Sequence, residues 1–217
     1  MNIALCFCIK NCGKYLNRIF ENINSVKGLD GINVYAVFVY DNCTDNSVSL
    51  LNNYKVLNPS NTIVKKIDNP SPARTVRIAK ARNACLDVVY TELKDIKYHI
   101  MIDADDVCAK NWNIKLLNDY LHNFDNDDWD TISFNRDNYY DIWALLFDNF
   151  RHHCWGFQRN QGGNIVRTMK TLISKKLSSC KSNSLEVLSA FNGFAIYNTL
   201  RFKGFTYDGS IKNALPL

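Results

Sequence analysis

Glycine and proline are scarce in this chain, at 9 and 4 of 217 residues. No low-complexity tract, internal repeat or linker interrupts it, so composition offers no point at which to divide it. No apolar run approaches the roughly 20 residues that a membrane-spanning helix needs. The one apolar stretch near the start, residues 3–9, is too short and lacks the basic leader of a secretion signal. A strong charge of one sign is missing too. The net charge of +5 is mild and scattered, which suits an anionic small molecule and gives no basis for a nucleic-acid partner. Eight cysteines are present, but Cys6, Cys8 and Cys12 have no second Cys or His cluster at a zinc-like spacing and read as buried strand thiols. A chain that is 47% hydrophobic needs no disulfide framework, so the thiols are read as reduced and the compartment as cytoplasmic.

What the chain does contain is alternation. Residues 3–9 predict a first strand, followed by a helix with Leu16, Ile19, Phe20 and Ile23 on one face. Residues 34–40 are β-branched and aromatic, a second strand ending at Asp41, after which Thr44 or Asp45 can cap a helix through Leu50 and Leu51. Residues 62–67 read as a third strand. Ser71-Pro72 is a cap with proline at the first helical position, opening a long helix to about Leu93. A strand ending in Asp103 comes next, then a helix with Trp112, Leu116, Leu117 and Tyr120 on its apolar side. The second half is less regular: an acidic loop at 125–130, a strand at 131–134, an aromatic helix at 139–150, a mixed basic and apolar segment at 165–177, and a late strand at 191–197. Regular βαβ alternation predicts an α/β fold of Rossmann-like type, its mostly parallel central sheet flanked by helices on both faces. At this length one domain, 1–217, is the simplest account.

The most informative stretch is His99-Ile100-Met101-Ile102-Asp103-Ala104-Asp105-Asp106-Val107. An apolar strand runs into a D-x-D carboxylate pair just past its C-terminal end, where open α/β sheets place ligands. Asp103 and Asp105 can converge on one hard divalent cation, Mn²⁺ or Mg²⁺, that bridges to phosphate oxygens. The same pattern also fits a strand-end turn with an Asp capping the next helix. Asp41 and Asn42 open a similar turn, Asp41-Asn42-Cys43-Thr44-Asp45-Asn46-Ser47, where a carboxylate can accept from a base N–H or a ribose hydroxyl, or simply close an Asx-turn. The helix from Ser71 carries Arg74 and Arg77 at i, i+3 spacing, then Lys80 and Arg82-Asn83. Arg77 and Arg82 are candidates to neutralise phosphate or pair with carboxylates, while Lys80 reads as a solvated surface lysine.

Taken in order, the Asp41-to-Ser47 turn, Arg77 with Ala81-Arg82-Asn83, and Met101-Ile102-Asp103-Ala104-Asp105-Asp106 resemble the GT-A-fold nucleotide-sugar glycosyltransferases. Tyr139-Tyr140-Asp141-Ile142-Trp143-Ala144-Leu145 and Phe191-Asn192-Gly193-Phe194-Ala195-Ile196-Tyr197 are similar to the capsule-associated mannosyltransferase-like branch and to glycosyltransferase domains of large DNA viruses, which would place the chain in a host cytoplasm. The resemblance implies a nucleotide-binding N-terminal half and a sugar- and acceptor-binding C-terminal half. It implies Asp41 against the base, Arg82 supporting the diphosphate or the D-x-D acids, Asp103 facing ribose or metal, and Asp105 as direct metal ligand. Asn192-Gly193 would border the sugar and acceptor. The donor would be a nucleoside-diphosphate sugar, UDP-linked by preference, and the acceptor a glycan or glycoprotein. A glycan on the sequon Asn42-Cys43-Thr44 would block this pocket, which agrees with the cytoplasmic reading.

The departure from the family pattern is near the C-terminus. Relatives follow a segment like Lys203-Gly204-Phe205-Thr206-Tyr207-Asp208-Gly209 with an acidic catalytic residue and often a metal-binding His. Here the candidates for the base are Asp208 on position and Glu186, or the chain is a fragment of a longer protein. Arg151-His152-His153-Cys154-Trp155 is read as a loop with a packed Trp, and Tyr139, Tyr140, Trp143 and Trp155 as core aromatics that could instead stack on a sugar. Two other function classes compete: a non-catalytic donor-binding module, and a haloacid-dehalogenase-type phosphatase, which normally carries its D-x-D on the first strand.

Overall fold

Ile3, Ala4, Leu5, Cys6 and Phe7 are all fully buried, as expected of a strand covered on both faces rather than one with a wet side. They belong to β1 (Asn2–Ile9) in the computed structural model of the chain, which describes residues 1–123, 129–136, 139, 141–146, 162–180 and 184–210. β2 (Asn33–Tyr40) runs parallel to β1 with Tyr40 opposite Ile9. β4 (Ile96–Asp103) runs parallel on its other side with Asp103 opposite Cys8, and β3 (Thr62–Lys66) runs parallel to β2. With β5 (Thr131–Ser133) and β6 (Phe194–Asn198) they form a six-stranded sheet in the order β3-β2-β1-β4-β6-β5. The α/β fold expected from the alternation is therefore present.

The helices α1 (Gly13–Lys27), α2 (Ser47–Leu57) and α3 (Arg74–Asp87) connect the parallel strands. α1 buries Leu16, Ile19, Phe20 and Ile23 at helical spacing and packs on α2 and β2, while α3 packs on β1 and β2. Right-handed crossovers account for this placement. The chain winds outward from β1 to β3, then returns across the sheet to β4, which carries α3 to the opposite face. Phe7 stacks on Phe38 within the sheet at 5.0 Å and Phe20 of α1 on Tyr54 of α2 at 4.2 Å, and Phe38 joins the sheet to both helices by edge contacts at 5.9 and 6.1 Å. α4 (Ile114–Asn123) and α5 (Gly162–Ser179) complete the described helices. No helix of the described residues is long and apolar enough to cross a membrane.

Contacts divide the chain into two compact units. The first is Met1–Ile132 with Ile196–Gly209. The second is built on Ser133–Ala195, where Tyr139, Ile142 and Leu145 pack with Met169 and Ile173 of α5 into a small core of their own. In that unit Asn192 and Gly193 both take positive φ, 53° and 85°, and Phe194 N–H bonds to Phe191 C=O at 3.2 Å. That is the geometry of a type I′ turn, which Asn-Gly favours.

Several elements differ from expectation. The helix from Ser71 begins only at Arg74, because the Ser71 hydroxyl accepts from Ala73 N–H and the chain turns helical after it. It ends at Asp87 and is extended by a π-helical turn, Val88–Glu92. α4 starts at Ile114, so Trp112 precedes it. Its buried face is Leu117 and Leu121 rather than Leu116, which is 40% exposed. The late strand starts at Phe194, after the Asn192-Gly193 turn. The aromatic helix expected over 139–150 is not formed at its described residues, 139 and 141–146. The Asp141 N–H is taken by the Asn192 side chain and Leu146 pairs as a bridge with Ser189. Residues 147–155, with the His152-His153 pair, and Tyr140 lie outside the described residues, as do 125–128 of the acidic loop.

Candidate active site

Strand order places two acids around the end of β1. Asp41 follows Tyr40, the partner of Ile9, and Asp103 is the partner of Cys8, so the two carboxylates stand on either side of the same strand end. With strands about 4.8 Å apart, two strands of separation put them about 10 Å apart in the sheet. The winding direction reverses between β1 and β4, and open α/β sheets bind ligands in the crevice at that reversal, beyond the carboxyl ends of the strands.

The β2 end is tightly tied. Lys10, just past β1, places its ammonium 2.5 Å from Asp41 Oδ1 and 3.0 Å from the Asn42 carbonyl oxygen. Asp41 is 7% exposed while the Lys10 side chain is 53% exposed, so the pair has one buried and one wet member. Asn42 and Asn11 both sit at positive φ, 27° and 53°, conformations that Asn tolerates better than most residues. Asn11 Oδ1 accepts from Thr44 N–H at 2.7 Å. Asp45 Oδ2 accepts from Gly13 N–H at 2.8 Å and Oδ1 from Ser47 N–H at 3.0 Å, so this one carboxylate closes an Asx-turn leading into α2 and ties it to the start of α1. The Ser47 hydroxyl contact, followed by these backbone N–H groups, holds the Asp45 carboxyl below the usual range. A Cβ on Gly13 would stand 1.9 Å from Asn46 Oδ1, so a larger residue there would displace the Asn46 side chain.

The β4 end is more exposed. Asp103 Oδ1 lies 3.5 Å from Arg82 Nη2, with the side chains 28% and 17% exposed. Burial pulls the Arg82 guanidinium down, but Asp103, then Tyr207, Cys8 and Tyr197, outweigh it and the net direction is up, so it is a permanent cation. Its other flank is the Tyr207 ring, 5.4 Å from the guanidinium carbon to the centroid. Asp105 Oδ1 accepts from Val107 N–H at 3.0 Å, an Asx-turn, so it closes a strand-end turn but caps no helix: α4 begins at Ile114, and Asn113 Oδ1 accepts from the Leu116 N–H there at 3.0 Å. Neighbouring thiols are held in the protonated form: a hydrogen bond with the Cys85 side chain, then burial, pushes Cys8 well up, and burial pushes Cys12 up to about 11.

The remaining sequence candidates fall elsewhere. Arg77 Nη1 donates to the Ser71 and Pro72 carbonyls at 2.7 Å each, which closes the loop before α3. Lys80 is exposed, as expected of a solvated lysine. Asn192 is buried in the second unit. Its amide donates to Phe134 C=O at 2.8 Å and its oxygen accepts from Asp141 N–H at 3.1 Å, which makes it a turn staple. Glu186 is an exposed residue of the same unit. Asp208 is exposed and follows Tyr207, whose main chain is held by Asn83, so it belongs to the unit that carries Asp103. Sequence reasoning overlooked Lys10, Asn11 and Tyr207. An isolated lysine after a strand and a tyrosine 125 positions from its arginine leave no local signature.

The acids suit a hard divalent cation held jointly with a ligand. Among the described residues no three His, Cys, Asp or Glu side chains are grouped so as to hold a metal by themselves. Mg²⁺-type sites typically use one or two carboxylates plus phosphate oxygens and water rather than an all-protein cage. Asp103 and Asp105, two residues apart past a strand end, match that donor set.

Residues 5–176 match the family model described as glycosyl transferase family 2. Among solved structures, residues 1–349 of S. aureus TarS in complex with UDP are similar at 15% identity and a TM-score of 0.57, with 99% of this chain and 52% of that one covered. Mannosyltransferase PcManGT from Pyrobaculum calidifontis, in complex with GDP-Man and Mn²⁺, is similar at 12% identity and a TM-score of 0.53, covering 95% and 48%. At such identities the likeness is one of fold. The chain spans about half the length of these solved structures. No curated protein sequence matches it.

Proposed function

The chain belongs to glycosyl transferase family 2, and from that membership we propose that it moves a sugar from a nucleoside-diphosphate sugar to a hydroxyl of a glycan or glycoprotein, with Mn²⁺ or Mg²⁺ as cofactor. The observation that carries the reading is the pair of acids on either side of the β1 end, with Arg82 set against the second of them. Asp41, anchored by Lys10, is the acceptor for a base N–H or a ribose hydroxyl. Asp103 and Asp105 would hold the cation. Bound there, it would supply positive charge to offset the negative charge that grows as the nucleoside diphosphate departs.

Arg82 is the protein's own contribution to the same task. Its fixed positive charge beside Asp103 suits a diphosphate, since a guanidinium pairs with phosphate oxygens in a planar fork. Asp208 takes the proton of the acceptor hydroxyl as its oxygen bonds to the sugar carbon and the sugar–phosphate bond breaks. It is preferred over Glu186 because Tyr207, its neighbour, is tied to Arg82 and Asn83. A UDP-linked donor is the first to try, since the fold neighbour TarS is in complex with UDP. The test is a screen of nucleotide sugars with Mn²⁺, following donor hydrolysis and metal-dependent nucleotide binding. Binding and turnover that vanish with a chelator are the expected result. The absence of metal-dependent binding of any nucleoside diphosphate would overturn the reading, and binding without turnover would leave a donor-binding module.

A further inference from the structure

We propose that Tyr207 is a positioning residue of the donor site, holding the Arg82 guanidinium in the plane in which it meets Asp103. This rests on the donor-site reading above. At 3.5 Å the contact of Arg82 with Asp103 is longer than the about 2.7–2.9 Å of a charge-assisted hydrogen bond, so it does not by itself fix the orientation of a long, flexible side chain. The aromatic face supplies the second constraint, with the guanidinium carbon 5.4 Å from the ring centroid.

The Tyr207 main chain is held by the helix that carries Arg82. Asn83, the next residue along α3, donates from Nδ2 to the Tyr207 carbonyl at 2.9 Å and accepts at Oδ1 from the Tyr207 N–H at 2.7 Å. This two-point clasp sets the Tyr207 main chain at a constant offset from Arg82. Two residues on, Gly209 lies against the first turn of α3, where a Cβ would meet the Thr75 carbonyl oxygen at 2.4 Å and the Val76 Cα at 2.5 Å. Upstream, the Tyr90 hydroxyl donates to the Phe202 carbonyl at 2.9 Å. The segment from Phe202 to Gly209 is thus a strap fastened to α3 and its π-helical extension at three places, with Tyr207 under Arg82 in between. Burial, with Tyr197 adding to it, pushes the Tyr207 phenol well up, so the ring stays neutral beneath the cation. The strap brings Arg82 into register with Asp103 before any ligand arrives, the preorganisation that electrostatic stabilisation of a departing diphosphate requires.

Two measurements on the full chain test this. In the nucleotide-free protein, NMR relaxation of the Arg82 side-chain N–H is expected to show order well above that of exposed Arg74, lost in Tyr207→Leu and kept in Tyr207→Phe. In calorimetry with UDP or GDP and Mn²⁺, Tyr207→Leu is expected to weaken binding about tenfold, the size of a lost ligand-orienting contact, and Tyr207→Phe to restore it. Gly209→Ala, which lifts the strap from its other end, should reproduce the loss. In an Arg82→Ala background neither Tyr207→Leu nor Gly209→Ala should weaken binding further, since each acts through the guanidinium. Losses that add undiminished to that of Arg82→Ala, or an Arg82 as ordered in Tyr207→Leu as in the parent, overturn the proposal. A chain whose Arg82 depends on Tyr207 but which binds neither nucleotide keeps the positioning role and overturns the donor-site reading instead.

Discussion

The ends of β2 and β4 begin from nearly the same local pattern and finish with different chemistry. An Asp stands at each strand end, Asp41 just after β2 and Asp103 as the last residue of β4, and each is followed by a second Asp that forms an Asx-turn, Asp45 with Ser47 and Asp105 with Val107. At the β2 end the neighbours are Lys10, Asn11 and Gly13 of the β1–α1 loop, and they tie Asp41, Thr44 and Asp45 in turn. At the β4 end the neighbour is the Arg82 face of α3, which touches Asp103 at 3.5 Å and leaves it 28% exposed. The difference teaches that a carboxylate near a strand end becomes structural when two backbone N–H groups from different loops converge on it, as they do on Asp45. It stays available for ligand chemistry when its partner is a side-chain cation with its own reasons to bind phosphate.

The widest gap between the two ends should open on acidification. Four residues before Asp103, His99 is buried against Tyr197 at 4.9 Å and bonded to Thr199 at 3.2 Å, and burial pushes it down to about 4. A folded-state pKa below the unfolded value means that the unfolded chain binds the extra proton. Stability is therefore intact above about pH 6.5 and falls as pH drops toward 4, by on the order of 3 kcal/mol. Denaturant midpoints measured across that window check it, and His99→Gln should flatten the slope. Next in size, Asp103→Asn is expected to weaken Mn²⁺-dependent nucleotide binding by about 100-fold or more, the upper end of what lost ligand-supporting contacts cost, with the melting temperature little changed. Calorimetry beside thermal melts separates the two.

The mirror-image substitution sharpens the contrast. Asp45→Ala removes the bonds to Gly13 N–H and Ser47 N–H and should lower stability by about 1 kcal/mol, the net size of a lost intramolecular hydrogen bond, read as a shift in the urea midpoint, while nucleotide affinity stays within twofold. If Asp45→Ala abolished binding and Asp103→Asn only destabilised the fold, the comparison would be reversed. The smallest effect belongs to Lys80→Ala. The residue is exposed on α3, and stability should change by less than about 0.5 kcal/mol with no change in affinity.

Much of the first unit was legible in the sequence, because its parallel strands are continuous apolar runs and its helices carry Leu16, Ile19, Phe20 and Ile23 at helical spacing. The second unit was less legible for a physical reason. Its short core, Tyr139, Ile142 and Leu145 against Met169 and Ile173, is assembled by single bonds such as Asn192 to Asp141, and an aromatic-rich stretch leaves no period from which to infer them. At the site, the acids could be named because carboxylates at strand ends are rare enough to notice. Arg77 and Arg82 looked alike on the same helix, and only the folded loop shows that Arg77 bonds the carbonyls of Ser71 and Pro72.

The sequence alone determined that the chain is an α/β protein with carboxylates at two strand ends, because hydrophobic periodicity and strand-terminal polarity act over a few residues. Which acid is tied down, which arginine faces it and what holds that arginine in place were decided only by tertiary structure. Those answers depend on strand order, which sets β1 between Asp41 and Asp103, and on contacts such as Asn83 with Tyr207 across 124 residues of chain.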